Sequence, residues 1–68
     1  MHPIKEFCKE NKIRQRELAR QSDISAAYMT QIIKGQRRPT PPVALRIQNA
    51  TGGKVGVLQI LYPKDEAA

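Results

Sequence analysis

The chain has 68 residues, with twelve Lys and Arg against six Asp and Glu for a formal net charge of +6. That length fits one small domain burying only about 60% of its unfolded surface, so modest stability and help from a second subunit or ligand are expected. Cys8 is the only cysteine and His2 the only histidine, which excludes an intrachain disulfide and a Cys/His zinc cluster, and no apolar run reaches the length of a membrane span.

Pro3 stands where a first helical residue belongs, and Ile4, Phe7 and Cys8 follow at i, i+3, i+4 spacing with Lys5, Glu6, Lys9 and Glu10 on the other side. This predicts an amphipathic helix ending near Asn11. Cys8 reads as a small buried hydrophobe and His2 as inert. The opening residues lack the apolar core of a secretory signal, so the cytoplasm is the expected compartment, in agreement with a lone cysteine. A second short helix is predicted over Gln15–Ser22, with Leu18 and Ala19 inward among Arg16, Glu17, Arg20 and Gln21. Asp23 then tolerates the left-handed backbone of a tight turn. Ser25 is a good N-cap for a third helix, Ala26–Lys34, whose Met29, Ile32 and Ile33 form an apolar stripe, and Gly35 stands at the C′ position that favours positive φ.

Residues 36–40 are polar, basic and interrupted by Pro39, which predicts a surface loop. Thr40 is expected to cap a fourth helix with Pro41 and Pro42 in its first turn, Val43, Ala44, Ile47 and Ala50 inward, and Thr51-Gly52-Gly53 as its end. The segment from Val55 to Tyr62 is apolar on both alternating faces, so periodicity does not separate a helical turn from a strand. The favoured reading is a short helix starting around Gly56 and stopping before Pro63. The fold class is therefore all-α with five short helices, a C-terminal strand giving α+β being the alternative. Residues 1–63 make a single domain and residues 64–68 a frayed tail.

The charge is unevenly placed. Residues 1–23 carry six basic and four acidic groups, a net of +2, whereas six basic groups and no acid lie between Asp23 and Asp65. A small basic domain suits nucleic acid or an anionic membrane surface, and charge alone does not choose between them. The organisation does: two short helices joined by a tight turn, followed by a basic loop, describe a helix-turn-helix.

The residue types agree. QRELARQSDISAAYMTQIIKG resembles the helix-turn-helix of phage Cro and repressor proteins and their bacterial XRE-type relatives. In that pattern Gln opens the first helix (Gln15), Leu-Ala faces the core (Leu18, Ala19), an apolar residue closes the turn (Ile24) and two apolar anchors hold the recognition helix (Met29, Ile32). Two positions depart from it: Asp23 stands where the family usually has Gly, and Arg14 where it has a small hydroxyl residue. The segment from Pro42 to Leu61 is similar to the fourth and fifth helices of the small YdaS-like regulators, a Cro-related group of bacterial chromosomes and prophages.

The resemblance implies a sequence-specific regulator of transcription, a Cro-like repressor acting as a homodimer on a palindromic operator in the bacterial nucleoid, with no cofactor and no metal. A recognition helix enters the major groove and its neighbours hold phosphates. The expected base contacts are Gln31, Ala26, Ala27 and Thr30, with Gln31 suited to adenine N6 and N7 and the alanines limited to thymine methyls. The expected phosphate contacts are Arg14, Gln15, Ser25, Tyr28, Lys34, Arg37 and Arg38. Arg37 and Arg38 read alternatively as loop solvation, and Gln31 as a solvent-facing amide. Glu6, Glu10 and Glu17 read as solvated helix charges.

Val55, Val57, Leu58, Ile60 and Leu61 put more apolar surface into the tail than a small core needs. Val57, Leu58, Ile60 and Leu61 are therefore expected to form a dimer interface, the alternative being that they simply roof the core. The rival function is an antitoxin or accessory protein working through a protein partner. A membrane-surface module ranks below it, since the cations are split among short helices and a loop. An enzyme is not expected: one histidine, no paired carboxylates beside a nucleophile and no Gly-rich phosphate loop leave acid-base chemistry without its groups.

Overall fold

A computed structural model of the chain describes residues 2–62, which form five α-helices and, within that range, no strand. They are α1 (Pro3–Asn11), α2 (Gln15–Gln21), α3 (Ala26–Ile33), α4 (Pro41–Ala50) and α5 (Val57–Leu61). The all-α expectation holds and the alternative strand over the tail is not formed. The expected frayed tail, residues 64–68, lies outside the described residues.

The helix ends follow local chemistry. His2 precedes α1 in an extended conformation and its Nδ1 accepts the Ile4 N–H at 3.0 Å, so a buried imidazole caps the helix. This corrects the reading of His2 as inert. Pro3 supplies no N–H of its own and leaves the next one for the ring. Lys12 closes α1 with φ 54°. Arg14 precedes α2 without a side-chain cap bond, as its chemistry predicts. Ser25 Oγ accepts the Tyr28 N–H at 3.0 Å and starts α3 as expected. Thr40 precedes α4 in an extended conformation but its side chain makes no cap bond. Pro42 removes one of the two N–H groups that a cap side chain can serve, and that of Val43 is left without a bond from Thr40.

The turn between α2 and α3 carries the geometry of the motif. Ser22 ends α2, Asp23 takes φ 60°, and Ile24 donates its N–H back to Ala19 O at 3.0 Å. Arg46 of α4 fastens this corner by donating from Nε to Ser22 O at 3.0 Å. Left-handed backbone costs an L-residue about 1–2 kcal/mol, less for Asp, whose short side chain tolerates it. Asp23→Gly is therefore expected to match or exceed wild-type stability, while Asp23→Val loses about 1–2 kcal/mol. Thermal melts followed by circular dichroism check this, and a Gly variant that melts well below wild type would contradict it.

Ile4, Leu18, Met29, Ile47 and Ile60 are wholly buried and meet at the centre, so each helix contributes one of them. Cys8 joins this cluster, and burial pushes its thiol up from the ordinary value. Ala19 and Ala44 are also fully buried, their small side chains suiting close approach of α2 and α4. α5 is tied to α4 through polar groups. Thr51 Oγ1 accepts the Val55 N–H at 3.1 Å and Gln48 Oε1 accepts the Val57 N–H at 3.0 Å, while at the start of α5 itself Gly56 donates its N–H to Gln59 Oε1 at 2.8 Å.

That anchoring sets the rotation of α5 and corrects the expected dimer surface. Ile60 is 1% exposed and belongs to the core, so it offers nothing to a partner. Val55 is also buried. Val57 and Leu61 are half-buried, and Leu58 is 72% exposed. A helix of five residues has room for about one fully inward position, and packing against α1 and α4 assigns it to Ile60.

Candidate nucleic-acid interface

α3 turns Met29 and Ile32 into the core, which leaves Ala26, Ala27, Thr30, Gln31 and Lys34 on the opposite side. Ser25, Ala26, Ala27 and Lys34 are exposed, and Thr30 and Gln31 are half-buried. Thr30 Oγ1 donates to Ala26 O at 3.0 Å, so its hydroxyl hydrogen is spent within the helix. This face therefore carries three methyl groups, from Ala26, Ala27 and Thr30, with one occupied hydroxyl, one amide and one ammonium.

The loop after α3 folds back onto the helix. Gly35 takes φ 76°, which lets Gln36 and Arg37 donate their N–H groups to Gln31 O at 2.9 and 3.3 Å. The Arg37 guanidinium then lies 4.9 Å from the centroid of the Tyr28 ring, and Nη1 is 3.4 Å from Gln31 Oε1. Cation and ring attract through the ring quadrupole. Arg38 is exposed with its guanidinium 5.9 Å from the Tyr62 ring, and Pro39 is buried behind it. The sequence suggests a phosphate contact or loop solvation for Arg37. Its fold-back onto Gln31 is a tertiary feature whose sole sequence signal is Gly35.

On the other flank of α3, a shallow groove runs between the starts of α2 and α3 and the side of α1. Lys5, Lys9, Arg14, Gln15, Arg16, Ala26 and Thr30 line it. Arg14 and Gln15 are thus brought beside the outward face of α3, as the motif predicts. The sequence places Lys5 and Lys9 on the polar side of the first helix and assigns them no contact. Their i, i+4 spacing, one position on from Ile4 and Cys8, was the available signal that they share a face beside the apolar stripe. No acidic side chain lines this groove. Glu17, the acid on α2, pairs loosely with Arg20 at 4.0 Å, an exposed contact of little energetic weight.

The site is therefore built from two helices at a fixed corner, an outward helix face with small side chains, and cations on both flanks. This arrangement fits a duplex groove with its two phosphate walls. Among the described residues no group of three or more His, Cys, Asp or Glu is placed to hold a metal, and no helix is long and apolar enough to cross a membrane.

Together these features define a DNA-binding regulator of helix-turn-helix type. A family model described as helix-turn-helix matches residues 4–58, and the chain belongs to that family, the Cro and XRE type. Neither a curated protein nor a solved structure matches the chain. The match runs from the second residue of α1 to the second residue of α5, so it covers the cationic flanks as well as the central motif.

Proposed function

We propose that this chain is a Cro-like repressor, of the small YdaS-like group, that acts in the cytoplasm by binding a roughly palindromic operator as a homodimer. The observation that carries this reading is the outward face of α3, free of acids and flanked by Arg14 on one side and Arg37 and Arg38 on the other. Gln31 is the main base reader, with Thr30, Ala26 and Ala27 giving apolar contact to thymine methyls. Arg14, Gln15, Ser25, Tyr28, Lys34 and Arg38 hold phosphates, and Arg37 stands at the boundary between the two groups. Lys5 and Lys9 extend the phosphate contacts along the groove.

Size supports the dimer. The described residues extend 29 × 24 × 21 Å, whereas successive major grooves on one face of a duplex lie about 34 Å apart. One copy reaches one groove, and a second copy is needed for the next. The contact proposed for it is Leu58 with Val57 and Leu61, continued by Tyr62, which is 63% exposed. Sedimentation equilibrium of wild type and Leu58→Asp tests this part. Wild type is expected to dimerise in the micromolar range and the variant to stay monomeric with unchanged helix content; identical monomers at high micromolar concentration would remove the dimer. Selection of bound duplexes from a random pool tests the regulator itself, an inverted repeat being the expected product and an unenriched pool the contrary one.

A further inference from the structure

The Gln31–Arg37 contact bears on which base is read. Arginine has five N–H donors and no acceptor. The Gln31 atom that faces Nη1 at 3.4 Å is therefore its carbonyl oxygen, and the amide NH2 lies at the other end of the group. Arg37 is held in this place by three further features: its backbone N–H on Gln31 O, the Tyr28 ring beside its guanidinium, and the positive φ of Gly35 that returns the loop.

A glutamine reads adenine by accepting from N6 and donating to N7 at the same time. Here the accepting end is already engaged. Its second lone pair remains, but an adenine N6 amino group approaching it would meet the positive guanidinium. The remaining polar groups of the pair are all donors: the Gln31 NH2 and the free Arg37 N–H groups. Guanine is the base that presents two adjacent acceptors, O6 and N7, in the major groove. We propose that Arg37 sets the base specificity of Gln31, the two side chains forming a donor-only reader that selects guanine where Gln31 alone would select adenine.

This inference rests on α3 being the base-reading helix, and the experiment separates the two. Duplexes are selected from a random pool with the full chain as wild type, Gln31→Ala, Arg37→Ala and Arg37→Lys. Arg37 is exposed and outside the core, so its variants are expected to keep the wild-type melting curve. The half-site position that loses its preference in Gln31→Ala is the one read by Gln31. Guanine is expected there for wild type and for Arg37→Lys, which keeps a donor beside Oε1. Arg37→Ala is expected to change that position to adenine, with a shift of roughly tenfold or more in the ratio of the two bases, and to leave the others unchanged. If Arg37→Ala keeps the same base and weakens every sequence alike, Arg37 is only a phosphate contact and the inference falls while the regulator stands. Adenine at that position in wild type overturns it equally. A wild-type pool with no enriched sequence removes base reading by α3 altogether.

Discussion

Affinity for the operator is expected to fall about 10⁵-fold between 50 and 200 mM salt. Each phosphate neutralised by a protein cation releases condensed counterions, so log K falls against log[salt] with a slope of about −0.9 per contact. The interface offers Arg14, Lys34 and Arg38 as phosphate-facing cations around α3, with Lys5 and Lys9 on the adjoining wall of the groove. Roughly five contacts in each of two subunits give a slope near −9. A titration of duplex by fluorescence anisotropy at several salt concentrations measures it. A slope near −4 would mean that one copy binds alone, and a flat response would contradict the cationic footprint.

Leu18→Ala is expected to lose about 2–5 kcal/mol of folding stability. Leu18 is fully buried on α2, which packs against both α3 and α4, so the cavity cannot close without moving the helix-turn-helix corner. A domain of this length has on the order of 3–10 kcal/mol in all. The substitution therefore takes much of the native state with it. At about 4–8 °C per kcal/mol, the melting temperature is expected to drop by at least about 8 °C. Circular dichroism melts with and without duplex check this, since DNA that binds only the folded chain recovers part of the loss. A shift under about 2 °C would show that Leu18 does not hold the corner.

Much of the fold was legible because its boundaries are written in local chemistry. Pro3, Ser25, Gly35 and the Pro41-Pro42 pair mark helix ends through missing donors, a capping hydroxyl or permitted positive φ, and each acts within one turn of its own position. Asp23 was readable for the same reason, and it does take the left-handed conformation. The interface was legible as a face, because the inward anchors Met29 and Ile32 determine what α3 turns outward. Features that depend on distant partners were not. The inward rotation of Ile60 comes from contacts with α1 and α4 and from Gln48 holding the start of α5, while a run apolar on every side gives no phase. The cap by His2 depends on a buried ring orientation, and Arg46 on Ser22 O spans twenty-four positions. Arg37 on Gln31 spans only six, yet it needs the loop to return over the helix, which charge patterning does not reveal.

The central claim is that the outward face of α3, the start of α2 and the loop at residues 36–38 form the DNA-facing surface. Amide chemical-shift mapping with a selected duplex tests it most directly. The largest changes are expected at Arg14, Gln15, Ala26, Ala27, Thr30, Gln31, Arg37 and Arg38, with the exposed side of α4 around Leu45 unmoved. Changes centred on α4, or confined to α5 without α3, would contradict the account.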